Sequence, residues 1–178
     1  ANLRAAFNLL KEAGYKLNGR TLVKADTGKP LTFEMLATSV AQERLFGGYA
    51  NTLARLGITA RIRVVDSAQY QQRLTSYDFD MIQATWPSSL SPGNEQVFRW
   101  NSKMAAQDGT YNWAGVANPA VDAMIAAMLA AHDKDAFVSA TRALDRALLS
   151  GDYVIPLFHL PKQWIAHWKG FAYPAKPP

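Results

Sequence analysis

Cysteine is absent from this chain of 178 residues. That excludes disulfides, thiolate nucleophiles and cysteine-ligated zinc, and it fits cytoplasm and periplasm equally well. No apolar run approaches the roughly 20 residues that a membrane-spanning helix needs. The most apolar stretch, residues 120–131, reads as a core helix. Charge is also sparse, at 19% of residues, and the formal net charge is +5. Lys and Arg stand singly, with Arg61 and Arg63 the only close pair in a predicted strand. Nucleic-acid binders gather their cations on one face, so no nucleic-acid partner is expected. Phosphate-loop and dinucleotide glycine motifs are missing, as are metal spacings of the His-Glu-x-x-His kind and Asp-rich calcium loops. The chain opens inside a helical pattern, "ANLRAAFNLLKEAGYK", without an initiator Met or a signal peptide. It reads as a piece of something longer.

Hydrophobic residues make up 49% of the chain, enough for a packed core. Leu3, Ala6, Phe7 and Leu10 share one helical face, and Gly14 stands where a helix C-cap belongs. Leu22 and Val23 suggest a short strand. Residues 31–37 read as a second, and "ITARIRVV" as a half-buried third with Ile58, Ala60, Ile62 and Val64 inward. Between the last two lies a helix opened by Ser39 with Gln42, a capping-box spacing. Its inward face is predicted as Leu45, Tyr49, Leu53 and Leu56, and the pair Gly47–Gly48 is expected to serve close packing. Strand, helix, strand predicts a parallel pair. Asp66 with Gln69 starts another short helix, and "FDMIQATW" gives a further strand running to Trp86. Asn118–Pro119 and Asp133 open two more helices. "YVIPLFHL" predicts a strand kept to an edge or bulge by its Pro. The fold class is therefore α/β, a mostly parallel sheet with flanking helices.

Chemistry is harder to find. None of the three histidines sits in a nucleophile motif, and there is no Gly-x-Ser-x-Gly elbow. Of the carboxylates Asp78, Asp80 and Glu95, the first two flank Phe79 at a strand start, where solvation at an edge explains them. The enzyme alternative is a small α/β hydrolase using Asp80, His159 and a loop serine. No catalytic residue, cofactor or metal ligand is assigned on this reading. What remains is the loop after the third parallel strand. Ligands of open parallel sheets sit beyond the carboxyl ends of the strands. That places Trp86, Pro87, Ser88, Ser89, Leu90 and Ser91 at a candidate cleft, with Trp86 a flat apolar wall and the serines hydrogen-bonding groups. Trp86 either lines such a cleft or plugs the top of the sheet. A second irregular aromatic segment, Tyr111, Asn112 and Trp113, either lines the same cleft or covers the core.

The order "LLKEAGYK", "LTFEMLA…GITARIRVVD", "YQQRLTSYDFDMI…W" and "NPAVDAMIAA…ATRALDRALLSGDYVIPLFH" resembles one lobe of the family 5 extracellular solute-binding proteins, the peptide- and nickel-binding components of ABC importers. "SLSPGNEQ" resembles the YejA-like branch, linked with uptake of peptides or peptide conjugates. The resemblance implies a type II periplasmic-binding-protein fold, in which two α/β lobes close on a ligand. Residues 1–168 would be the C-terminal lobe and residues 169–178 a linker or frayed tail, with the N-terminal lobe absent. It implies a peptide or peptide-like solute as ligand, a membrane permease as partner and a periplasmic location, or an extracytoplasmic one with a membrane anchor. A metal chelate or glycoside is the alternative ligand. Many peptide-binding members carry an acid about three residues after the Trp matching Trp86, where it pairs with the ligand's amino group. Here that position is Ser89, a departure that argues against amino-terminus recognition by this loop.

Overall fold

The computed structural model describes residues 2–87, 91–159 and 166–170. Helix α1 (Asn2–Glu12) turns its predicted apolar face, Leu3, Ala6, Phe7 and Leu10, onto Leu22, Leu56 and Ile58. Gly14, at φ +84°, ends it in the left-handed region that favours glycine. The chain then makes a hairpin absent from the sequence expectation. Strand β1 (Tyr15–Asn18) pairs antiparallel with β2 (Thr21–Lys24) through Gly19–Arg20. The signal was there in Asn18–Gly19. Gly57, at φ +81°, lets the hairpin close on the end of the next helix. Its carbonyl accepts the Leu22 N–H at 2.7 Å, and a Cβ at this position would stand 2.7 Å from the same nitrogen.

The sheet is parallel, as expected. Strand β3 (Thr32–Ala37) lies between β4 (Thr59–Val64) and β5 (Met81–Ile82). Helix α2 (Val40–Ala54) connects β3 to β4. Ser39 Oγ accepts the Gln42 N–H, and Gln42 Oε1 accepts the Thr38 N–H, so the cap is reciprocal. Of the predicted inward residues, Tyr49, Leu53 and, just past the helix end, Leu56 are packed in cores, joined by Phe46 and Ala50. Leu45 is exposed because Phe46 takes the position over Met35 and Ala37. The expected packing role of Gly47–Gly48 is not met, since a Cβ at either position would meet nothing within 4 Å. In β4 the alternation holds through Ile62, but Val64 is exposed and Val65 is the buried residue.

Helix α3 (Ser67–Thr75) starts on Asp66, whose carboxylate accepts the Gln69 N–H at 2.9 Å. Burial of the Tyr70 phenol on this helix pushes its pKa up. Strand β5 is two residues long, not the predicted eight-residue run. The register explains the difference. Ile82 pairs with Leu36, β3 ends one residue later at Ala37, and the chain beyond has turned into α2. Residues 83–86 therefore have no strand to pair with.

A helical unit follows, made of α4 (Glu95–Trp100), a 3-10 turn (Ser102–Ala106), α5 (Pro119–Leu129) and α6 (Lys134–Ser150). Both predicted helix starts hold: Asn118 and Asp133 cap α5 and α6 with their side chains. Val116, Val121, Ile125, Met128 and Leu144 form the core of this unit. The strand predicted in residues 153–160 is not found among the described ones. Residues 153–159 join no ladder, and Val154, Ile155, Leu157 and Phe158 are exposed. Leu160 and residues 161–165 and 171–178 lie outside the described residues. Among the described residues no helix is long and apolar enough to cross a membrane.

Candidate functional site

Past β5 the chain carries Trp86 away from the sheet and onto the helical unit. The Trp86 indole lies 5.1 Å from that of Trp100 and 5.9 Å from that of Trp113, centroid to centroid. Tyr111 meets Trp113 edge to face at 5.5 Å. Trp86 of the first segment singled out in the sequence and Trp113 of the second thus meet directly. Trp100, which meets Trp86 from α4, was missed by sequence reasoning along with all of that helix. Six residues are too few for a helical period to show. The available signals were Val97 and Trp100 three apart, Glu95 in the first turn and Arg99 in the last.

Trp86 is half-buried, and Trp100, whose ring it meets, packs on the helical core. Trp113 is half-buried and Tyr111 is 58% exposed. The result is an open aromatic shelf over the helical unit. The indoles of Trp86 and Trp100, tilted at 40°, differ in one respect. The Trp100 N–H donates to Gln96 Oε1 at 3.0 Å, while the buried Trp86 N–H has no hydrogen-bond partner among the described residues. A buried polar group left unpaired costs about 1–3 kcal/mol, so the second donor stands out.

Asn112 departs from expectation. It is fully buried, and its side chain is spent on backbone: Nδ2 donates to the carbonyls of Val116 (2.9 Å) and Asn101 (3.1 Å), and Oδ1 accepts the Val116 N–H (2.9 Å). It staples the 112–116 turn, holding Tyr111 and Trp113 outward, and faces no cleft itself. Pro87 is exposed, and its carbonyl accepts from Arg99 Nη2 at 2.6 Å. Ser91 is exposed too. Ser88, Ser89 and Leu90 lie outside the described residues.

The first turn of α4 carries the one carboxylate at this rim with a displaced pKa. The Gly93 N–H, with Glu95's own N–H, the Gln96 amide and the nearby Arg99 charge, holds the Glu95 carboxyl below its usual range, against a small opposing effect of burial. Two shallow cavities, of about 360 and 320 Å³, lie elsewhere. One is at the amino end of β5, lined by Glu34, Arg73, Tyr77, Asp78, Phe79 and Asp80, and the other runs along α6. Asp80 is not merely solvated, since its carboxylate accepts the Glu34 N–H at 2.8 Å. It lies at the end of β5 away from Trp86, and His159 is exposed in the segment after α6. Among the described residues no three His, Asp or Glu are grouped to hold a metal ion.

Comparison with known proteins agrees with this architecture. Residues 1–108 match the model for bacterial extracellular solute-binding proteins, family 5 Middle. A putative binding protein of Brucella melitensis is 50% identical over 175 residues, which is 98% of this chain and 28% of the relative. The probable peptide-binding protein YejA of Agrobacterium fabrum is 45% identical over 177 residues, 99% of this chain and 29% of its own length. The oligopeptide-binding protein AppA of Bacillus subtilis has the same fold, with a TM-score of 0.74 and 18% identity over 84% of this chain and 30% of that one. This chain thus spans a little over a quarter of the length of the curated relatives it matches. With the family model covering more than half of its residues, the chain belongs to the family 5 bacterial extracellular solute-binding proteins.

Proposed function

We propose that this chain is one wall of a receptor that captures oligopeptides or peptide-like solutes in the periplasm and presents them to the permease of an ABC importer. Residues 1–168 act as the C-terminal lobe and the rest of the receptor supplies the facing wall. The work is recognition and closure, without catalysis. The observation that carries the reading is the aromatic shelf of Trp86, Trp113 and Tyr111 with an unspent indole N–H in it. A peptide offers what that shelf lacks: carbonyl oxygens for the donor and side chains for the flat rings. The kinship with a probable peptide-binding protein over 99% of the chain points the same way. Ser89, where many relatives carry an acid, fits ligands whose amino terminus is held elsewhere or blocked.

Native mass spectrometry of the full-length receptor, purified without denaturation, tests the proposal. A retained mass that fragments as a peptide or peptide conjugate is expected. A retained metal chelate or oligosaccharide would refute the peptide assignment while leaving the receptor role intact.

A further inference from the structure

Helix α3 ends on a residue that its backbone does not favour. The Tyr77 N–H bonds to the Leu74 carbonyl at 3.4 Å and the Asp78 N–H to the Arg73 carbonyl at 2.9 Å, the two bonds of a Schellman cap. The left-handed residue of that cap, here at φ +53°, is one that glycine fills without steric cost. Past the ends of α1 and α2, Gly14 and Gly57 take the left-handed positions. A tyrosine in this conformation is strained, and a strained residue points to what its side chain does. This side chain reaches the helical unit, where its hydroxyl meets Thr110 Oγ1. The Thr110 hydroxyl has one proton and gives it to the Met104 carbonyl at 2.8 Å, so the Tyr77 O–H is the donor. Thr110 Oγ1 also accepts the Asn112 N–H, at 3.5 Å. One residue earlier, the Gly109 N–H donates to the Thr75 carbonyl at 2.8 Å. The end of α3 therefore holds two consecutive residues, 109 and 110. Tyr111 and Trp113 follow on either side of the Asn112 staple, and Trp113 meets Trp86.

We propose that Tyr77 is a positioning residue for the aromatic shelf: from the end of α3 its hydroxyl anchors Thr110, and so sets where Tyr111 and Trp113 stand against Trp86. The proposal deepens the peptide-receptor reading and rests on it for its purpose. The physical reason is preorganisation. The rings of the shelf come from two parts of the chain. Trp86 leaves the sheet through β5, while Tyr111 and Trp113 belong to the helical unit. A tie from α3 to residues 109 and 110 holds their spacing before a ligand arrives, and a site already in place loses less freedom on binding. Glycine at position 77 would relax the backbone and leave that tie with one bond fewer. The proton of the Tyr77 hydroxyl goes to Thr110, so Tyr77 acts on binding through the segment that it anchors.

The test uses the coupling of the Trp113 and Trp86 indoles, 5.9 Å apart, as its signal. In the full-length receptor, the difference in circular dichroism between the unaltered protein and Trp113→Phe defines that exciton signal. Tyr77→Phe, which removes only the donor, and Thr110→Val, which removes the acceptor, should each reduce it by half or more. The double variant should lose no more than either, because both remove the same bond. Phe46→Leu, a lesion in the sheet core beside Met35 and Ala37, should lower the melting temperature and leave the signal unchanged. A full signal in both Tyr77→Phe and Thr110→Val overturns the proposal, as do additive losses in the double variant or equal loss in Phe46→Leu. Should Thr110→Val fail to fold, a full signal in Tyr77→Phe alone overturns it. A second arm titrates tri-alanine into the full-length receptor. Tyr77→Phe should weaken binding about three- to tenfold, the scale of one hydrogen bond. Tyr77→Gly, which suits the backbone but lacks the hydroxyl, should weaken it at least as much. Unchanged tri-alanine affinity in both variants overturns the positioning role. Failure of tri-alanine to bind the unaltered receptor counts against the peptide reading, and the Trp113 signal then decides the proposal alone.

Discussion

The two ends of β5 are finished in opposite ways. At the amino end every charge is answered locally. Arg73, on α3, places Nη2 2.8 Å from Glu34 and Nε 2.9 Å from the Asp78 carboxylate, and it donates to the Asp78 carbonyl at 2.8 Å. Asp80 takes the Glu34 N–H. Tyr77, in a left-handed conformation at φ +53°, is held by its hydroxyl on Thr110. At the carboxyl end the buried Trp86 N–H has no hydrogen-bond partner among the described residues, and Tyr111 is left mostly exposed. The amino rim spends its charges on holding α3 against the sheet, Glu34 Oε1 being met by the Arg73 guanidinium at 2.8 Å.

Substitutions can break this contrast. The largest expected effect is on stability, from Asn112→Ala. It orphans one buried N–H and two carbonyls and should cost about 3 kcal/mol. Denaturant unfolding that shows a loss below about 1 kcal/mol would mean that the 112–116 turn does not depend on the staple. Next is Trp86→Ala, expected to weaken ligand binding by the full-length receptor by at least about 30-fold, the scale of a binding hot spot, while leaving stability nearly unchanged. Calorimetry showing equal affinity would remove Trp86 from the site. Arg73→Ala should do the reverse, lowering stability by about 1–2 kcal/mol through the half-buried Glu34 left unpaired, with affinity held within about threefold. If affinity fell as much as in Trp86→Ala, the two rims would not be separable.

A smaller effect concerns pH. The folded chain holds the Glu95 carboxyl below its ordinary range, chiefly through the Gly93 N–H. The unfolded chain therefore binds a proton first, and the contribution of these hydrogen bonds is complete above the ordinary Glu value near 4.5 and lost as the pH falls through the lowered one. Tryptophan emission followed down in pH should show a step below that ordinary value, absent in Glu95→Gln. A step at or above it would reverse the sign of the argument. The smallest effect is expected for Val64→Thr, within about 0.5 kcal/mol as for other exposed positions. A loss of 2 kcal/mol would restore Val64 to the core.

Much of the architecture was legible because it is local. The face of α1, the caps at Ser39, Asp66, Asn118 and Asp133, and the alternation in β4 as far as Ile62 each lie within one element and its first turn. The misses were matters of neighbourhood. Nothing in "FDMIQATW" says that β3 will run out of strand beside it, and nothing in "YVIPLFH" says that no edge will meet it among the described residues. The candidate site was half legible. Trp86, Tyr111 and Trp113 announced themselves as aromatics in loops, and their rings meet in the structure. Asn112 looked the same as its neighbours and proved to be a staple. Trp100 looked like one more loop aromatic and proved to be the floor.

Sequence alone determined the fold class and the kinship, because periodic burial and capping are short-range and the order of the pieces survives where each piece is weak. It also determined that thiol chemistry is closed to this chain. Tertiary structure decided which aromatics meet, because ring contacts join residues distant in the chain. It brings Trp86 onto Trp100, fourteen positions on, and onto Trp113, whereas the Trp100 N–H finds its partner, Gln96, within its own helix.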